Sequence, residues 1–161
     1  MKSLAPLALV AAVSSCVSPP QSRRAVFIES EYVPYAETGT GRIEGQAFIK
    51  TRGGDVKYCA GNTVWLNPVT TYSTEWYSRG VVGGENLESA DPRVNPYRRE
   101  TVGDGEGRFV FENLPAGEYF IACTIRWEVP LGKYGTQWTG GNAHTRVTVR
   151  ENETARVIAT R

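Results

Sequence analysis

Residues 104–119 read DGEGRFVFENLPAGEY, and this stretch decides the fold. Phe109 and Phe111 stand two positions apart, so both side chains fall on one face of an extended strand. Turn-forming residues lie on both sides: a Gly-rich Asp104–Gly107 before the strand, and Leu-Pro-Ala-Gly after it. A short strand with a turn at each end predicts a hairpin whose second strand begins near Glu118.

The same two-residue alternation continues in both directions along the chain. Turn residues such as Gly140-Gly141-Asn142 separate the alternating segments, and no window shows the spacing of an amphipathic helix. The predicted strands are residues 42–50, 63–67, 108–112, 118–129, 134–138, 144–150 and 154–160. We therefore predict an all-β domain, a single antiparallel seven-strand β-sandwich. Residues 25–28 either add an edge strand or belong to a preceding tether.

Several blocks of this sequence resemble a known family. Residues 41–45 read GRIEG, residues 59–68 read CAGNTVWLNP, and residues 104–119 contain a turn, a Phe-x-Phe strand and Asn-Leu-Pro-x-Gly-x-Tyr. In this combination they resemble carboxypeptidase regulatory-like domains, small sandwiches with a transthyretin-like (prealbumin) fold. The resemblance implies such a domain over residues 41–161 and a module that accompanies enzymes or transporters without doing chemistry. The chain departs from the family at residues 70–101, where a short connection is expected.

The long insertion at residues 70–101 is rich in aromatic and basic side chains. Loops of this length are usually functional or disordered. In one interpretation the rings form a platform for a sugar or a partner protein, since Trp and Tyr offer large rigid contact areas. The candidate binding residues are Tyr72, Trp76, Tyr77 and Tyr97, with Arg93, Arg98 and Arg99 as polar anchors. In the other interpretation, which we favour, the loop folds over a sandwich face and its rings cap the core.

The first sixteen residues predict export and lipidation. Lys2 precedes an apolar run that is too short to cross a bilayer, and small residues follow it. The sequence Val13-Ser14-Ser15-Cys16 resembles the lipobox of bacterial lipoproteins, which implies cleavage before Cys16 and acylation of that cysteine. The alternative is a plain secreted protein cut near Ser15. We expect a signal peptide over residues 1–15 and a lipidated N-terminus with a tether over residues 16–40.

The expected location is the cell envelope, with the membrane reached through lipid on Cys16. Two or three acyl chains anchor a protein stably, whereas one holds it only marginally. Val17 follows the cysteine, and no Asp stands there. By resemblance to proteobacterial lipoproteins, that position implies the outer membrane, with the protein facing the periplasm.

Cys59 and Cys123 remain as an even pair once Cys16 carries lipid. Disulfides persist in an oxidising compartment, so we predict a Cys59–Cys123 bridge. The alternative is two buried thiols that pack as small apolar residues.

Composition excludes several classes of function. The chain has 161 residues, with 18 Lys and Arg against 17 Asp and Glu, and this balance argues against a nucleic-acid partner. It has one histidine and no nucleotide-binding or nucleophile motif, so we expect no cofactor, no metal site and no catalytic residues. We therefore predict a non-catalytic envelope lipoprotein that serves as a binding or structural β-sandwich module of unknown ligand, with an envelope protein or a glycan as the candidate partner. The alternative is a small carbohydrate-binding protein or a hydrolase with its site in the Tyr72–Arg99 loop.

Overall fold

The computed structural model describes residues 21–161, and the predicted signal peptide and Cys16 lie outside the described residues. The all-β sandwich is confirmed, with eight strands rather than seven in the described part of the chain. They are β1 (Gly41–Lys50), β2 (Val56–Tyr58), β3 (Thr63–Pro68), β4 (Arg99–Val102), β5 (Arg108–Leu114), β6 (Gly117–Pro130), β7 (Thr136–Val149) and β8 (Thr154–Ala159). Two of the eight, β2 and β4, are not among the predicted strands, because they are too short to show an alternating pattern. Two of the predicted strands are joined into one, β7.

The strands form two four-stranded sheets that pack face to face. In the first sheet, β1 pairs with β5 and β2 in antiparallel fashion and with β8 in parallel. The second sheet has the order β4-β3-β6-β7, and all its pairs are antiparallel. Among the strand pairs in residues 21–161, only β1–β8 departs from the antiparallel arrangement that the sequence predicts.

The two strands predicted at residues 134–138 and 144–150 are one continuous strand, β7. Gly140 and Gly141 lie in its interior and not in a turn. A Cβ atom on Gly140 would stand 2.2 Å from the carbonyl oxygen of Ile125 on β6. The glycine at this position therefore allows a close approach of two backbones, which the sequence pattern cannot distinguish from a turn signal.

The main core lies between the sheets and contains Phe109 and Phe111, which are 3% and 5% exposed. The predicted disulfide is present: Cys59, just after β2, is bonded to Cys123 in β6, and both are fully buried. The Cα atoms of the two cysteines are 6.3 Å apart, within the usual range for a bridge. This bond joins the end of a first-sheet strand to the second sheet.

The insertion at residues 70–101 contains regular structure. Thr70 caps a short helix, α1 (Thr71–Glu75), because its hydroxyl accepts from the Ser73 N–H while its own N–H donates to the Ser73 hydroxyl. A π-helical segment follows directly (Trp76–Val82), then a 3₁₀ turn (Pro92–Val94), and the insertion ends in β4.

The insertion and the segment before β1 together form a layer that we call the cover, residues 21–32 and 69–98. It lies on the outer face of the second sheet: the ring of Tyr77 stacks on Phe120 at 4.1 Å, and the Asn142 amide donates to the Val81 carbonyl at 2.8 Å. The cover has its own small core, made of Phe27, Tyr32, Tyr72 and Val94.

The N-terminal segment is therefore more ordered than a tether over residues 16–40 would be. The Ser22 N–H donates to the Asn86 carbonyl, and the Glu88 N–H donates to the Ser22 carbonyl. Phe27 and Tyr32 stack with their centroids 4.8 Å apart inside the small core. Residues 25–28 are thus neither an edge strand nor a tether, because burial of Phe27 fixes them in the cover. No helix within residues 21–161 is long and apolar enough to cross a membrane.

Candidate functional site

A cleft of about 380 Å³ lies between the cover and the outer face of the second sheet. Its volume is within the range of small-molecule sites, which runs from about 300 to 1,000 Å³. Its lining combines aromatic rings, both signs of charge and neutral polar groups. Its lining includes Trp65, Tyr72, Trp76, Arg24, Arg98 and Glu88.

The aromatic part of the cleft comes from the sheet and from the cover. Val64 and Leu66 of β3 point into the main core, so Trp65 between them points outward, toward the cover. Trp76 begins the π-helical segment and is half-buried, while Tyr72 belongs to the small core and is only 4% exposed. The cleft therefore has aromatic surface on two sides, with both Trp side chains partly open to solvent.

Two arginines lie against these rings. The guanidinium carbon of Arg24 is 4.2 Å from the ring centroid of Tyr72, and that of Arg98 is 4.5 Å from the centroid of Trp65. Both distances are within the range of a cation–π contact, which uses the charge of the guanidinium and leaves its N–H groups able to donate to another partner. Both arginines are half-buried, so their charges are less screened than those of fully exposed side chains.

Two carboxylates also line the cleft, and both are exposed. Glu85 receives hydrogen bonds from Arg79, at 3.0 Å from Nε and 2.7 Å from its terminal nitrogen. These bonds lower the pKa of the Glu85 carboxyl. Glu88 has no ion-pair partner within the described residues 21–161. Glu85 is thus held ionised by an internal partner, while Glu88 is open to solvent.

Neutral polar groups occupy the sheet side of the cleft. Thr124 of β6 donates through its hydroxyl to the Asn142 side-chain oxygen on β7 at 2.8 Å. The Asn142 amide nitrogen in turn donates to the Val81 carbonyl, which fixes its orientation. Asn67 of β3 lies on the same outer face and lines the cleft as well.

Of the four predicted binding rings and three predicted anchors, the structure brings together Tyr72, Trp76 and Arg98. Tyr77 does not line the cleft; its ring packs on Phe120. Tyr97 does not line it either, because its ring packs against Tyr32 at 4.9 Å. Both are structural members of the cover, so the residues of the predicted platform divide between the lining of the cleft and the packing of the cover.

Two of the predicted polar anchors, Arg93 and Arg99, also lie outside the cleft. Arg93 pairs with Asp91 at 2.7 Å, and the hydrogen bonds from Arg93 lower the pKa of the Asp91 carboxyl to about 2. Arg99 begins β4 and donates to the backbone carbonyl of Glu112. Neither side chain reaches the cleft.

Tyr77 and the single histidine form a contact that attaches the cover to β7. The Tyr77 hydroxyl is 2.8 Å from Nδ1 of His144. Burial raises the pKa of the Tyr77 hydroxyl, while burial and the nearby Arg161 charge lower the pKa of His144. The contact therefore joins two neutral groups at neutral pH, which suits attachment of the cover rather than proton transfer.

The residues that sequence reasoning missed are Trp65 and Arg24. Trp65 did carry a signal, because it alternates with Val64 and Leu66 and so must lie on the opposite face from the core. Arg24 carried none, since it lies in a segment whose composition indicates a tether.

Within residues 21–161 no cluster of three or more His, Cys, Asp or Glu side chains could hold a metal ion. The acidic turn at Asp104–Gly107 has a structural role. The Asp104 carboxylate accepts from the N–H groups of Glu106 and Arg108, at 2.9 Å and 2.8 Å, and so shapes the turn before β5.

Comparison with known proteins finds similarity to a solved structure and to a curated protein sequence. A solved structure from Pseudomonas aeruginosa, described as a "putative carbohydrate binding protein", matches 86% of this chain and 99% of its own length, with a TM-score of 0.76 and 28% sequence identity. Colossin-A of Dictyostelium discoideum is 39% identical over 69 residues, which is 42% of this chain. The chain spans about 1% of the length of Colossin-A. No family model matches the chain.

Proposed function

We propose that this protein is a non-catalytic carbohydrate-binding module of the bacterial cell envelope, and that the cleft under the cover holds the sugar. The observation that carries the proposal is the cleft itself, where the half-buried Trp65 and Trp76 lie beside Asn, Thr, Arg and Glu side chains. The similarity to the Pseudomonas protein supports it, because that protein is described as a carbohydrate binder.

The chemistry of the cleft suits a sugar. A pyranose ring has apolar C–H faces that pack on flat aromatic rings, and hydroxyl groups at its edge that need both donors and acceptors. Asn67 and Asn142 supply amide groups, Thr124 supplies a hydroxyl, and Glu88 supplies an acceptor. A few polar groups placed around apolar walls are typical of small-molecule sites.

The charges in the cleft argue against the hydrolase alternative. Glycoside hydrolysis needs one carboxyl group that stays protonated until it gives its proton to the leaving oxygen. The pKa of Glu85 is lowered by Arg79, the opposite of what such an acid requires. Glu88, the other carboxylate of the cleft, is exposed to solvent. Binding without turnover is the expected result.

Replacing Trp76 by Ala tests the site. We expect Trp76→Ala to weaken binding of an oligosaccharide by about tenfold or more, because it removes an aromatic face worth at least 1.4 kcal/mol. Binding is measured by calorimetry with the tightest ligand found on an array of neutral and acidic oligosaccharides. Trp138→Ala is the matched control, since Trp138 is 67% exposed and lies outside the cleft.

Three results would contradict the proposal: no binding to any array member, equal losses in the two Trp variants, or release of shortened sugars from the ligand. The first would remove the carbohydrate function, the second would move the site away from the cleft, and the third would make the protein an enzyme.

Lipidation on Cys16 is a second part of the proposal. It is supported by the Val13–Cys16 pattern. We expect Cys16→Ala to move the protein from the membrane fraction, where it would face the periplasm, to the soluble fraction. Fractionation with immunoblotting measures this, and Ser18→Ala serves as the control. Continued membrane residence of Cys16→Ala would contradict the anchor.

We also propose that residues 41–161 form a domain of the carboxypeptidase regulatory-like type. The β5–β6 block supports this: Leu114 is buried, Asn113 has a positive φ of 57° in the turn, and the Tyr119 hydroxyl donates to the Pro115 carbonyl at 2.8 Å. Those contacts explain why Asn, Leu, Pro and Tyr stand at these positions of the block.

A further inference from the structure

We propose that the sugar bound in the cleft is acidic, and that Arg24 and Arg98 recognise its carboxylate. This inference rests on the proposed carbohydrate function and names the class of ligand for the same site. The supporting observation is that the guanidinium groups of Arg24 and Arg98 line the cleft, are half-buried, and form no ion pair with a carboxylate within residues 21–161.

Arg24 is the stronger of the two observations. Its Nε–H is shielded from solvent and has no hydrogen-bond partner within residues 21–161. A buried donor left unpaired destabilises the protein, so such groups usually have a partner in the functional state. The guanidinium carbon lies 4.2 Å from the ring centroid of Tyr72, and the terminal N–H groups, which are not shielded from solvent, are the part left for a ligand oxygen.

Arg98 makes a similar contact with an aromatic ring on the sheet side of the cleft. Its guanidinium lies over Trp65, and in the described part of the chain its side chain makes no hydrogen bond and no ion pair. A carboxylate is planar and accepts two parallel N–H bonds from the edge of a guanidinium, and such charge-assisted bonds are about twice as strong as neutral ones. A neutral hydroxyl would satisfy a donor but would leave the charge uncompensated.

The other half-buried arginine of the cover shows the contrast. Arg79 pairs with Glu75 at 2.5 Å and with Glu85 at 2.7 Å, so its charge is compensated within the protein. Arg24 and Arg98 line the cleft and have no such partner among residues 21–161. Of the three half-buried arginines of the cover, one is thus paired internally, and the charges of the other two are directed at the ligand site.

The acidic residues of the cleft do not oppose this assignment. Glu85 is engaged by Arg79, and Glu88 is exposed at the side chain, where water screens its charge. A ligand carboxylate seated on the two arginines would therefore meet positive charge in the half-buried part of the cleft. Its hydroxyls would remain available to Asn67 and Asn142.

The test compares sugars that differ only in charge. Trimers of galacturonate, glucuronate and mannuronate are titrated into the purified full chain, each beside its fully methyl-esterified form, with neutral trimers as a third arm. We expect at least one uronate to bind about tenfold or more tighter than its ester, since esterification removes the charge and keeps the ring. We also expect this preference to shrink as NaCl is raised.

Arginine variants locate the effect. We expect Arg24→Gln and Arg98→Gln each to reduce the acid-over-ester ratio toward one. Arg98→Lys should keep the charge but lose most of the ratio, because Lys lacks the planar fork. Arg93→Gln is the matched control: Arg93 belongs to the same cover and lies over Phe27, but it pairs with Asp91 and does not line the cleft. Circular dichroism and melting curves confirm that each variant is folded.

The outcomes separate this inference from the function on which it rests. Equal binding of acids and esters, or binding of neutral trimers alone, would overturn the acidic ligand and leave the carbohydrate function standing. A sulfated trimer that binds as tightly as the uronate would overturn the selectivity for carboxylate. Binding to none of the three arms would count against both proposals. Loss of the ratio in Arg93→Gln would overturn the assignment to Arg24 and Arg98.

Discussion

Replacing both Cys59 and Cys123 by Ala is expected to lower the free energy of unfolding by about 4 kcal/mol. The bridge spans 64 positions of sequence, so in the unfolded chain it closes a long loop and removes much of its conformational freedom. Both side chains are fully buried, and Ala leaves no polar group behind in the core. For a domain of this size, such a loss lowers the melting temperature by roughly 10–15 °C.

Urea unfolding of the oxidised protein, the reduced protein and the Ala pair measures this effect. The reduced protein and the Ala pair should have similar midpoints, both well below that of the oxidised protein. Cys59→Ser should lose more than the Ala pair, since it buries a hydroxyl and leaves Cys123 unpaired. Two free thiols in the intact mass of the exported protein, or equal midpoints for the oxidised and reduced forms, would contradict the prediction.

The sandwich could be predicted because its decisive residues act locally. Phe109, Phe111 and Leu114 all enter the main core, and a Gly-rich turn and a Pro-Ala-Gly turn delimit β5 as the sequence indicates. The errors also have local causes. Gly140 lies inside β7 and allows the backbones of β6 and β7 to approach closely, but in the sequence it looks like a turn residue. Strand β4 is too short for its alternating pattern to be recognised.

The candidate site was only half predictable, because it depends on which face of the sandwich receives the cover. Trp76 and Arg98 lie within the insertion, whose aromatic and basic composition indicates a candidate site. Trp65 and Arg24 lie outside it, and only the fold of the cover over β3 brings them to the same cleft. Contacts between segments that are tens of residues apart leave no signal in local periodicity.

Tyr72→Ala is expected to lower the free energy of unfolding by about 3–4 kcal/mol, the usual cost of removing a buried aromatic ring. Tyr72 is 4% exposed in the small core, where its ring meets Phe27 edge-on with centroids 6.2 Å apart. Its hydroxyl accepts from the Asp91 N–H at 2.7 Å, so Tyr72→Phe should cost about 1 kcal/mol. Tyr134→Ala is the control, since Tyr134 is largely exposed.

The same variant separates packing from binding within one loop. Tyr72→Ala also removes the ring on which Arg24 rests, so it should lose both stability and sugar affinity. Trp76→Ala should lose affinity while the melting temperature changes by only a few degrees, because Trp76 is half-buried and lies outside the small core. A Tyr72→Ala protein that melts like the parent would show that the small core contributes nothing to stability. If Trp76→Ala were instead the more destabilised of the two, the insertion would be packed mainly through the residue assigned here to the ligand.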